Sequence, residues 1–113
     1  MNIFENFDYD EYHELLNMAI DHDVHVVHDM NLRGGFTFAW QRDTPFAKGR
    51  MVKVAVTFCS PRDQFARKIG TYNALKNFGE GKFILLPVGS EDSAVIVERL
   101  RSTFEIASSH LYW

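Results

Sequence analysis

Two short runs in the middle of the chain alternate with a period of two, and one turn-like segment separates them. In the first, Phe36, Phe38 and Trp40 interleave with Thr37, Ala39 and Gln41. In the second, Val52, Val54, Val56 and Phe58 interleave with Lys53, Ala55, Thr57 and Cys59. Successive side chains of a strand point to opposite faces, so each run reads as a half-buried strand with its bulkier residues on one side. Asp43-Thr44-Pro45-Phe46-Ala47-Lys48-Gly49 reads as a hairpin loop. Adjacent strands joined by so short a connection pair antiparallel, and a central β-hairpin is the result.

The flanking segments supply the other elements. Asp8 followed by Glu11 has the form of a capping box, and Tyr12, Leu15, Leu16, Ala19 and Ile20 recur at helical spacing, which predicts a first helix over about 9–21 with an acidic outer face. Val24, Val26 and Val27, interleaved with His25 and His28, favour a short strand over a continued helix, and Asn31 to Gly35 is a turn. Ser60-Pro61-Arg62-Asp63 has the chemistry of a helix start: a capping hydroxyl, a proline at the first helical position and an acid facing the dipole. The second helix is therefore expected from there to about Phe78, striped by Phe65, Ile69, Tyr72 and Leu75 and ended by Gly79 and Gly81. Phe83 to Val88 reads as a buried strand that Pro87 places at an edge or a strand end. Ser90, with Glu91 and Asp92 behind it, caps a third helix whose inner face holds Val97, Leu100 and Phe104. The order is α-β-β-β-α-β-α. It predicts an α+β fold over residues 1–113 as one domain, with helices packed on one face of a mainly antiparallel sheet.

Composition narrows the class further. A chain of 113 residues that is 46% hydrophobic can bury a core without metals or cross-links. Cys59 is the single cysteine, which excludes an intrachain disulfide and points to a reducing, cytoplasmic setting. No uncharged apolar run approaches the roughly 20 residues of a membrane helix, and the start Met-Asn-Ile-Phe-Glu lacks the basic and apolar regions of a secretory signal.

Charge is distributed unevenly. Residues 1–32 hold eight acids and no Lys or Arg, whereas residues 33–82 hold ten bases against three acids, within a net charge of −3. Such a chain is expected to fold with one negative and one positive region. Arg62, Arg67 and Lys68 fall at the expected start of the second helix, and Arg42, Lys48, Arg50 and Lys53 surround the hairpin loop with Trp40 and Phe46 between them. Cations on a hairpin and a nearby helix start can follow a phosphate backbone, and an exposed aromatic ring can stack on a base. These seven residues are the candidate nucleic-acid contacts. The contrasting candidate is a protein partner, held by the acidic helix through Asp10, Glu11 and Glu14 or by the apolar tail through Tyr112 and Trp113; the tail equally suits a second copy of the chain.

Catalytic and metal chemistry find less in the residues. His22, His25 and His28 stand among Asp21, Asp23 and Asp29, a zinc-like ligand set, but on a strand His25 and His28 point to opposite faces. A site would need the helical reading and a further ligand such as His13 or His110. The reading is a solvated polar turn with no metal. Cys59 precedes a helix start, where a thiol can be activated, yet the Cys-x5-Arg spacing fails at Phe65 and a half-buried strand-end cysteine is expected. Nucleophile-elbow, phosphate-loop, dinucleotide and His-Glu-x-x-His motifs are missing, so the expectation is a non-enzymatic protein without cofactors.

The segment from Val52 to Gly70, VKVAVTFCSPRDQFARKIG, resembles a strand-to-helix element of small uncharacterised proteins of tailed bacteriophages. That resemblance implies a phage-encoded protein acting in the host cytoplasm on a host protein or on nucleic acid. The α-β-β-β-α order, with bases opening its last helix and Ala74-Leu75 near its end, is similar to a double-stranded RNA-binding domain. There Arg62, Arg67 and Lys68 would correspond to the lysines that grip phosphates.

Overall fold

A computed structural model describes residues 7–30, 35–43, 51–59, 66–89 and 92–111. The elements are α1 (Tyr9–Asp21), β1 (His25–Asp29), β2 (Gly35–Arg42), β3 (Met51–Cys59), α2 (Arg67–Gly79), β4 (Ile84–Pro87) and α3 (Ser93–Leu111). Four strands form one sheet in the order β1-β2-β3-β4, each pair antiparallel. The expected hairpin is β2–β3, in a register that sets Phe38 opposite Val56, Ala39 opposite Ala55 and Trp40 opposite Val54.

The register decides the layering. Phe36, Phe38, Trp40, Val52 and Val54 share one core with Val88 and with Ile96, Leu100 and Phe104 of α3. Ala39 and Ala55, from the alternate positions, share a second core with Ala19, Val24, Ala74, Leu75 and Phe78. The helices therefore do not sit on one face, as the sequence suggested. α3 covers the aromatic side of the sheet, while α1 and α2 cover the other. Small side chains make the second layer possible, because Thr37, Ala39 and Ala55 let α2 lie close to the strands. β2 is consequently buried on both faces from Gly35 to Trp40, which corrects the reading of a half-buried strand.

Local chemistry explains most element ends. The Asp8 carboxylate accepts from Glu11 N at 3.0 Å. The reciprocal half of the capping box is missing, because the Glu11 carboxylate instead accepts from Tyr72 Oη and pairs with Lys76. Within α1, Leu15, Leu16 and Ala19 face the second core, but Ile20 is 77% exposed and leaves the predicted stripe. α2 begins at Arg67, after an extended Ala66 with no side-chain cap. Its helix therefore starts later than the Ser60-Pro61 signal indicated, and residues 60–65 lie outside those described. Its buried face is Thr71, Ala74, Leu75 and Phe78, at helical spacing. Asp92 caps α3, accepting from Ala94 N at 2.8 Å and Val95 N at 3.4 Å; Ser90, the expected cap, and Glu91 lie outside the described residues. β4 is an edge strand, as Pro87 implied. It is not a buried one, since Ile84 and Leu85 are about half exposed.

Candidate nucleic-acid interface

At the loop end of the hairpin, His22, Asp23, Gln41, Arg42, Asp43 and Lys53 line a polar pocket of about 300 Å³. Three pieces of local structure build it. The turn after α1 brings His22 and Asp23 up to the end of β2, and Gln41 Nε2 fastens that turn by donating to the His22 carbonyl at 2.6 Å. Asp23 takes a positive φ of 55°, which lets the chain reverse between α1 and β1. The backbone pair from Asp43 N to Met51 O, 3.0 Å, holds the two strand ends together beside the pocket.

The pocket carries both signs of charge. Arg42 donates from Nη2 to Ser93 Oγ and lies over the Trp40 ring, 5.1 Å from its centroid. Lys53 Nζ is 4.0 Å from Asp43 Oδ1 and 5.3 Å from the Phe83 ring centroid. Asp23 reaches toward His25, with 3.4 Å between its Oδ1 and the ring Nε2, a contact that is not a hydrogen bond. The two carboxylates weaken the attraction of Arg42 and Lys53 for an anion.

The other described cations lie elsewhere. Arg67 and Lys68 open α2, whose fourth residue, Gly70, packs on Thr37. That position is five residues from Arg42 along β2, or roughly 16 Å at the rise of an extended strand. Lys68 Nζ sits 5.5 Å from the Tyr9 ring centroid and 6.0 Å from that of Tyr12, so α1 supplies the aromatic surface next to it. Trp40, proposed as a stacking residue, is 2% exposed and belongs to the core beneath α3. A large indole opposite Val54 is worth far more buried than displayed. Lys48, Arg50, Phe46 and Arg62 lie outside the described residues, as do Tyr112 and Trp113.

On the acidic side, Asp10, Glu14 and Asp21 are exposed along α1, whereas Glu11 is turned inward to Tyr72 and Lys76. The Glu11 hydrogen bond raises the Tyr72 pKa above its usual value, and Tyr72 and Glu11 together raise that of Lys76.

β1 is a strand and separates the histidines. His25 lies against Trp40, ring centroids 4.8 Å apart, while His28 points to the opposite face, toward Thr37 and Thr71. Among the described residues no group of three His, Cys, Asp or Glu side chains is placed to hold a metal ion. Cys59 ends β3 and is half-buried, with six residues outside the described set before Ala66. Among the described residues no helix is long and apolar enough to cross a membrane.

The hydroxyl-bonded His28 was not legible as a site. Thr37 and Thr71 are far apart in sequence and neither belongs to a motif. No family model, curated protein or solved structure matches the chain.

Proposed function

We propose that this is a non-enzymatic binding protein that contacts the phosphates of nucleic acid with the loop end of its β2–β3 hairpin. One observation carries the reading: Arg42 and Lys53 line the same open polar pocket, at strand ends that flank a segment bearing Lys48 and Arg50. Gln41 and His22 add neutral hydrogen-bonding groups beside the two cations, the mixture that backbone contacts use. Arg67 and Lys68, at the other end of β2, form a second contact for a longer strand, next to Tyr9 and Tyr12. The resemblances to tailed-phage proteins and to double-stranded RNA-binding domains agree with this ligand class, and a phage origin would place the protein in a host cytoplasm.

The test is binding of labelled single- and double-stranded oligonucleotides by fluorescence anisotropy across a salt series. Binding should weaken steeply as salt rises, and the double reversal Arg42→Glu with Lys53→Glu should abolish it. Reversal of Arg67 and Lys68 should lower affinity less. Binding that ignores salt, or that survives the Arg42/Lys53 reversal, rejects the proposal.

A second reading has its own support in the exposed row Asp10, Glu14 and Asp21 on α1, which suits a basic surface on a host protein. Under that reading, Asp10→Lys with Glu14→Lys would remove a stoichiometric partner recovered from host lysate and leave oligonucleotide binding intact. The same lysate distinguishes a host partner from a second copy of the chain.

A further inference from the structure

His28 stands where β1, β2 and α2 meet. Its Nδ1 is 2.8 Å from Thr37 Oγ1 on β2, and its Nε2 is 3.2 Å from Thr71 Oγ1 on α2. Both threonines are buried, at 1% and 8% exposure. Gly70 completes the junction, because a Cβ there would lie 2.2 Å from Thr37 Oγ1 and 3.6 Å from His28 Nδ1. The absent side chain is what lets the first turn of α2 come down onto the ring.

A neutral imidazole has one N–H and one lone pair. It can donate to one hydroxyl and accept from the other, so both nitrogens are satisfied. A protonated ring has two donors and no acceptor. The hydroxyl that donated to it must then swing its proton away and accept from the new N–H, and that proton needs another acceptor inside a packed junction. The extra charge also lies near the Arg67 guanidinium. We propose that His28 is an acid-sensitive latch: uptake of a proton from solvent loosens the first turn of α2 from the β1–β2 sheet and moves Arg67 and Lys68 with it.

Among the described residues, the groups around the ring support this direction. β2 presents Thr37, which does not titrate, and α2 presents Thr71 together with the cationic Arg67. Asp29, the carboxylate next to His28 on β1, occupies the opposite face and pairs with Arg101 at 3.7 Å. Partial burial and then Arg67 hold the His28 pKa below its ordinary 6.5. A depressed pKa means that the released turn binds more protons than the docked one. Docking is therefore at full strength above the ordinary value and is lost as pH falls through the docked value. This inference does not depend on the identity of the ligand.

Two measurements on the full chain test it: the pH titration of the His28 ring by NMR, and hydrogen exchange of the α2 amides with intrinsic rates corrected for pH. The His28 ring should titrate below 6.5. Opening of the first α2 turn should increase about tenfold for each unit of that depression, between about pH 8 and about pH 5. Amides of the β2–β3 ladder should not follow. His28→Gln, which keeps a donor and an acceptor but does not titrate, should flatten the response. Arg67→Gln should raise the His28 pKa and shrink the response, and it decides the matter if the glutamine variant does not fold. A ring that titrates at or above its ordinary value, or α2 opening that ignores pH, would overturn the latch. So would the same pH response in His28→Gln.

Discussion

Gly70 and Thr37 approach so closely that a Cβ on the first would lie 2.2 Å from the hydroxyl oxygen of the second. This contact sets how near α2 lies to the sheet, and the adjacent Ala39, Ala55 and Ala74 carry the same closeness further along the interface.

Gly70→Ala should therefore destabilise the protein although residue 70 is helical. The gain in helix propensity is at most about 1 kcal/mol. The clash falls on a buried threonine whose hydroxyl is also held by His28, and overpacking of that kind costs about 1–3 kcal/mol. Chemical denaturation should show a net loss. Thr37→Ala combined with Gly70→Ala should recover part of it, because the offending oxygen is gone.

Glu11 joins the two helices that share a face of the sheet, by accepting from Tyr72 and pairing with Lys76. Its carboxylate holds the phenol in the neutral form, so the Tyr72 pKa lies above the ordinary 10.0. Glu11→Gln removes that negative charge and should lower the Tyr72 midpoint. Site-resolved NMR between about pH 9 and about pH 12 separates this ring from the other tyrosines. A midpoint unchanged by the substitution would show that the contact does not persist in solution.

Phe104 is the main anchor of α3, with ring centroids 6.0 Å from Phe36, 5.3 Å from Phe38 and 6.4 Å from Phe58. At 4% exposure it fills the centre of the aromatic core. Phe104→Ala should cost about 3–5 kcal/mol in denaturant unfolding. Loss of α3 packing should appear as faster exchange in Ile96 and Leu100 than in the α1–α2 layer, because the two layers are separated by the sheet.

The positions of the charges were less legible than the elements that bear them. Arg42 and Lys53 are eleven positions apart in the chain, yet antiparallel pairing sets Arg42 opposite Val52 and Gln41 opposite Lys53, so one hairpin end brings both to a single pocket. Arg67 and Lys68 looked continuous with them in the sequence but fall at the far end of β2. Trp40 looked available for stacking because a period of two says which residues share a face, not which face is covered.

Element type and order were written into short stretches of sequence. The alternation of Phe36 to Gln41 and Val52 to Cys59, and the cap and stripe of Tyr9–Asp21, act through neighbours a few residues away and keep their meaning in any fold. The second covered face was decided only by tertiary structure, as were the His28 junction and the division of the bases. Each depends on how close segments distant in the chain can come. The small side chains at residues 37, 39, 55 and 70 allow that approach without announcing it.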